Sequence, residues 1–133
     1  WYPYGASGLD IYSNGVMVSP KLLAENPEAV KGLVNAIAKA MQDVLANPQE
    51  GIDVIVATEP LSNGELEMKR LQFALNNLIF SDESKANGIG AVDTDRLARS
   101  ISTIQGLYDL PSTPAPDSVF NASFLPAMDM RSF

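Results

Sequence analysis

The chain has 133 residues, 46% of them apolar, and its 16 acidic against 9 basic side chains leave a net charge of −7. That is about one domain with enough apolar material for a core, which argues against disorder. A phosphate-binding surface needs clustered Lys and Arg, so the composition also argues against nucleic acid as a partner.

Cysteine and histidine are both absent. This removes disulfides, zinc sites of the usual type, cysteine nucleophiles and any serine–histidine relay. A cysteine-free chain is compatible with an oxidising compartment. No apolar run approaches the roughly 20 residues that cross a bilayer. The sequence opens on Trp1-Tyr2-Pro3-Tyr4 without an initiator Met or a signal-peptide pattern, and the expectation is a piece of a longer protein.

Trp1 to Ser7 is aromatic and glycine-containing, a composition that suits either a packed loop or the wall of a ligand pocket. From Gly8 to Pro20 the apolar residues Leu9, Ile11, Val16 and Val18 alternate with polar ones. This predicts one half-buried strand. Asn14-Gly15 tolerates positive φ, so a kink, bulge or tight bend is expected there.

Helix-start signals then follow in quick succession. Ser19-Pro20, Asn26-Pro27 and Asn47-Pro48 each place a capping side chain before a proline that loses no hydrogen bond at the first helical position. Asn47 also has Glu50 three residues on, a capping-box spacing. These signals predict a short helix over 20–25, a long one over 27–46 and a third over 48–58. In the long helix Val30, Leu33, Val34, Ile37, Ala38, Met41, Val44 and Leu45 form one apolar stripe. Ile52 to Val56 is β-branched enough to pass for a strand, and its cap and spacing favour helix.

After a Pro-Asn-Gly loop, a second long helix is predicted from Glu65 to Phe80, with Met68, Leu71, Leu75, Leu78 and Ile79 on one face. Asp82 is placed to cap a short turn through Asn87, and Gly88-Ile89-Gly90 breaks it. Asp93 is placed to cap a helix from Thr94 to about Leu107. Beyond Leu110, three prolines within seven positions oppose regular structure, and Val119, Phe120, Phe124 and Leu125 offer anchors for a tail lying across the domain.

Catalytic constellations are scarce. Gly5-Ala6-Ser7-Gly8 lacks the spacing of a nucleophile elbow, and Gly88-Ile89-Gly90 lacks the third glycine of a dinucleotide loop. No catalytic, metal or cofactor site is expected. A binding role remains, with aromatic walls from Trp1, Tyr2, Tyr4 and Tyr12 and polar groups from Asp10, Ser13 and Asn14. Asp10, Tyr12 and Asn14 share a face if the strand is regular, and that face is either a ligand surface or a solvated edge.

The order of motifs resembles a known family. G-L-D-I-Y-S-N-G-V-M-V-S-P, L-L-A-E-N-P-E-A-V-K-G-L-V-N-A, A-N-P-Q-E-G-I-D and the closing V-F-N-A-S-F-L-P resemble the C-terminal part of periplasmic solute-binding proteins of ABC importers. The types in question are the nitrate/sulfonate/taurine and thiamine-pyrimidine-precursor receptors. The resemblance implies an α/β fold, a periplasmic-binding-protein type II lobe, of which this chain is a mostly helical C-terminal fragment with one hinge strand. It implies residues 1–20 as cleft-proximal loop and hinge strand, 21–109 as the helical part of lobe one, and 110–133 as a Pro-rich tail packed on the lobe. The implied site residues are Tyr12, Ser13 and Asn14, with Asp10 behind them and Tyr4 near the cleft mouth. The implied partners are a small organic solute, the ABC permease subunits and the upstream N-terminal portion of the same receptor. The implied location is periplasmic, or extracellular and lipid-anchored in a Gram-positive host. Two other readings stay open: an independent helical interaction domain, and an enzyme of the fungal pyrimidine-synthesis branch that shares this fold.

Overall fold

The computed structural model describes residues 2–133; Trp1, one of the aromatic candidates, lies outside them. The chain runs through α1 (Pro20–Glu25), α2 (Pro27–Ala46), α3 (Pro48–Thr58), α4 (Gly64–Ala74), α5 (Asp82–Asn87), α6 (Thr94–Tyr108) and α7 (Pro116–Val119). α1 packs on α2, α2 on α3, and α3 on α4, while α6 carries α7. Short 3-10 turns at Ala122–Phe124 and Met128–Met130 bring the end of the chain back across α2.

Local chemistry sets most helix starts. Ser19 accepts from the Leu22 N–H at 3.1 Å, Asn26 from Ala29 at 3.1 Å, and Asn63 from Leu66 at 3.0 Å. Each satisfies one of the orphan donors of a first helical turn. Asn47 departs from the expected box: its side chain makes no cap bond and its amide instead donates to Glu50 at 3.4 Å. The cap of α5 is Ser81 rather than Asp82, in a reciprocal pair with Ser84. The Ile52–Val56 run is helical within α3, and Ile52 is buried.

The predicted second long helix is interrupted. α4 ends at Ala74 and the chain widens into a π-helical turn over Leu75–Ile79, closed by Phe80 N–H donating to the Leu75 carbonyl at 2.9 Å. The Asn77 amide donates to the Phe73 carbonyl at 2.8 Å, occupying an acceptor of the ladder beside the wide turn. The extra residue changes the face. Leu75 is buried, whereas Leu78, expected beside it, is exposed. Phe80 then meets Phe133 with ring centroids 4.5 Å apart, pinning the end of the chain.

Gly8–Pro20 is not a strand. After a 3-10 turn at Tyr4–Ser7, residues 9–19 run as irregular chain, and no strand occurs among the described residues. A strand exists through ladder bonds to a neighbour, and alternation alone supplies none. Neither Asn14 nor Gly15 takes positive φ; the left-handed position is Gly8, φ 91°, which closes the 3-10 turn. The Pro-rich segment also corrects its expectation, because Pro116 opens the helical turn α7 from its first position.

Packing is shallow. Val30, Ile52, Leu75 and Leu97 are the buried apolar side chains among the described residues, and Leu61, Leu78, Leu107 and Val54 stand largely exposed. The accessible surface is 9551 Å². A compact monomer of this mass would expose about 6,800 Å². The helices therefore present apolar faces that their own chain does not cover.

Candidate functional site

The first turns of α5 and α6 converge on the irregular segment 9–14. Glu83 lies in the first turn of α5 and Arg96 in the first turn of α6, which starts where Asp93 accepts from the Arg96 N–H at 2.7 Å. Capping by Asp93 is as the sequence indicates. What it builds is less local: the cap orients the helix so that Arg96 reaches across to two carboxylates.

Arg96 Nη1 lies 2.8 Å from Glu83 Oε2, and Nη2 lies 2.8 Å from Asp10 Oδ1. The guanidinium carbon sits 4.2 Å from the centroid of the Tyr12 ring, a cation–π contact. The Tyr12 hydroxyl donates to Glu83 Oε1 and accepts from the Asp93 N–H at 2.8 Å. The same N–H reaches Glu83 Oε1 at 3.2 Å. Ser100 is buried behind the cluster and donates to the Arg96 carbonyl at 2.9 Å.

Side-chain exposure is 22% for Glu83, 27% for Arg96 and 51% for Asp10. Charge-assisted bonds in this partly shielded setting are stronger than on open surface. Burial alone would raise the Glu83 carboxyl, but the Tyr12 hydroxyl and the Arg96 guanidinium outweigh it and hold the group below its usual 4.5. Burial and the bond to Glu83 push the Tyr12 phenol above 10.0. For Arg96, burial works downward, and the bond to Glu83 with the charge of Asp10 raises it overall.

The signs of these shifts predict a pH response. A depressed carboxyl stabilises the fold above its unfolded value, and that contribution is lost as pH falls from about 4.5 through the folded value. A raised phenol contributes fully below 10.0 and is lost as pH climbs past it. Thermal unfolding followed from pH 7 to pH 3 should show an acid limb, and Glu83→Gln should flatten that limb. An identical limb in the variant would place the acid sensitivity elsewhere.

Beside the cluster lies an open cleft of about 520 Å³, lined by Asp10, Ser81, Glu83, Asn87, Asp93, Arg96 and Arg99. A second depression of about 450 Å³ adjoins it past Asp10 and Arg99, bounded by Gly8, Ala98, Ser102 and Thr103. Among the described residues no group of His, Cys, Asp and Glu has the arrangement to hold a metal ion.

Of the residues singled out in the sequence, the structure brings Asp10 and Tyr12 into one cluster. Ser13 and Asn14 are exposed on the chain just beyond it. Tyr4 is 74% exposed in the 3-10 turn and lines neither depression. Glu83 and Arg96 were not singled out. Their contacts to Tyr12 and Asp10 span 71 and 86 positions, beyond any local pattern.

No helix among the described residues is long and apolar enough to cross a membrane. No solved structure matches the chain. Residues 3–51, from the segment carrying Asp10 and Tyr12 through α2, match the family model described as NMT1/THI5 like. Over 123 residues the chain is 28% identical to the riboflavin-binding protein RibY of Chloroflexus aurantiacus, an alignment that covers 91% of this chain and 35% of that protein. The chain thus spans about a third of the length of that relative. Both matches point the same way as the motif order: residues 3–51 are similar to the NMT1/THI5-like family, and the chain is similar to a protein named for binding riboflavin.

Proposed function

We propose that this chain is part of a solute-binding receptor of an ABC importer, working without catalysis on a small organic solute with a flat heteroaromatic ring. The observation that carries the reading is the similarity, along 91% of the chain, to a protein named for binding riboflavin. A pyrimidine-like compound belongs to the same class of solute, and a sulfonate such as taurine is the competing class. The type II lobe, the periplasmic or lipid-anchored extracellular location and the permease subunits as partners belong to this reading.

Its solute-facing residues are Tyr4, Asp10, Tyr12, Ser13 and Asn14. The cluster supports a contact surface at 10–14, because it fixes one end of the segment and leaves the Ser13 and Asn14 side chains exposed. The surface of 9551 Å² supports a further part of the receptor covering the helices, since it exceeds that of a compact monomer by an amount typical of one large permanent interface.

Calorimetry on the receptor that carries this chain tests the reading, with riboflavin, pyrimidines, taurine, alkylsulfonates and nitrate as titrants. Saturable binding of a ring compound is expected. Tyr12→Ala should weaken it about tenfold, the loss of one aromatic contact. Binding of a sulfonate in place of any ring compound would overturn the ring class, and binding of none would overturn the receptor reading.

The exposed apolar faces favour one other reading, a helical interaction domain that buries them against a partner protein. Light scattering on the isolated chain separates the two. A monodisperse monomer that unfolds cooperatively fits the interaction domain, whereas a self-associating species fits a lobe lacking its complement.

A further inference from the structure

The irregular segment has little backbone bonding to hold it. Between Leu9 and Val18 its main chain offers the Leu9 N–H to the Tyr4 carbonyl at 3.1 Å and the Asp10 carbonyl to Ser100 Oγ at 3.4 Å. Neither bond reaches residues 11–14. Side chains must therefore fix that stretch, and the polar anchors are Tyr12 within it and Asp10 at its edge.

We propose that Glu83 and Arg96 are positioning residues for solute binding: they hold Tyr12 and Asp10 so that residues 12–14 meet the solute in one conformation. The inference rests on the solute-binding reading and divides its site into groups that hold and groups that touch. The Tyr12 hydroxyl is fully engaged, donating to Glu83 and accepting from the Asp93 N–H. Only the ring face away from Arg96 is left to offer a solute. Arg96 has both terminal nitrogens on carboxylates and its guanidinium carbon over the Tyr12 ring, so its charge is already met within the cluster. Ser13 and Asn14, exposed and next in the chain, supply the polar contacts.

A flat ring stacked on Tyr12 gains from this arrangement because the ring is already oriented before the solute arrives. Without the Glu83 carboxylate the hydroxyl loses its charged acceptor, and Tyr12 must be ordered during binding, which lowers affinity. The two residues then act through one another. Removing either should do the same damage as removing both.

The test is a double-mutant cycle in the receptor that carries this chain, with Glu83→Gln, Tyr12→Phe and the double variant. Riboflavin affinity is read from quenching of flavin fluorescence, and hydrogen exchange of the Asp93 amide reports the anchor without any solute. Arg131→Ala, which loosens the end of the chain away from the cluster, serves as a destabilised control. Both single variants should speed Asp93 exchange and weaken riboflavin about tenfold, the scale of one charge-assisted hydrogen bond. The double variant should be no weaker than the singles, and Arg131→Ala should keep the wild-type affinity.

Additive losses, unchanged affinity in Glu83→Gln, or an equal loss in Arg131→Ala would each overturn the positioning role. If wild-type receptor binds riboflavin and none of these patterns appears, the proposal stands. If it binds none of the candidate solutes, the solute reading fails, and unchanged Asp93 exchange in Glu83→Gln overturns the anchor as well.

Discussion

Arg96→Ala is expected to cost about 2–3 kcal/mol of folding stability, measured by urea denaturation at pH 7, since it strips a partly buried carboxylate of its counter-charge. Glu83 would keep the Tyr12 hydroxyl and the Asp93 N–H, two neutral donors, with nothing to balance its charge. The pair to Asp10 adds little to the figure, because that carboxylate is half exposed and solvent screens it. The ring contact adds about 0.5–1 kcal/mol. Arg96→Lys separates charge from geometry. A lysine can sit near one carboxylate but cannot bridge Glu83 and Asp10 while staying over the Tyr12 ring, so it should recover less than half of the loss. Full recovery by lysine would mean that charge alone matters and that the fork does nothing. The same variant bears on function, since this side chain is one of the ties, with the Tyr12 hydroxyl and Ser100, that hold residues 10–14 to α5 and α6.

The helices were legible because their signals are local. Asn26-Pro27 and Ser19-Pro20 act within one turn, and the stripe from Val30 to Leu45 needs only the helical period. Asp93 as a cap was legible for the same reason. The π-helical turn was not, since it depends on how Leu75 and Phe80 seat against other elements, and the apolar spacing from Met68 to Ile79 fits an unbroken helix equally well. The strand reading of Gly8–Pro20 failed for a related reason. Alternation shows which residues prefer burial, whereas a strand needs a neighbouring backbone, and none lies alongside among the described residues.

The candidate site was half legible. Asp10 and Tyr12 were picked for their chemistry, and the structure places both in the cluster, but as members of an ion network more than as open ligand groups. Glu83 and Arg96 were invisible for want of any sequence proximity to them. The family model has the same division. The family match ends at residue 51, so it covers Asp10 and Tyr12 and leaves out the two residues that hold them.

Gly88→Ala is expected to be the more damaging change, about 3 kcal/mol or more. Gly88 follows α5 with φ 80° and ψ 157°, a region that is essentially glycine's alone and costs other residues about 1–3 kcal/mol. It is also packed. A Cβ there would lie 2.8 Å from Met128 Sδ, 2.9 Å from Arg131 Nη1 and 3.2 Å from Arg131 Cβ. The sulfur can swing away at small cost, but Arg131 cannot. Its Nη1 donates to the carbonyls of Asn87 at 3.0 Å and Ile89 at 3.3 Å, the two residues flanking Gly88, and its own carbonyl accepts from the Ile89 N–H at 2.8 Å. Moving it would release the end of the chain from α5. Gly90 is the comparison, with the same φ of 80° but only a Leu125 methyl 3.7 Å from the added Cβ. Gly90→Ala should therefore show a positive-φ backbone cost with little packing strain, about 1–3 kcal/mol, and be the milder of the two. Equal losses at the two glycines would mean that the contact with Arg131 contributes nothing.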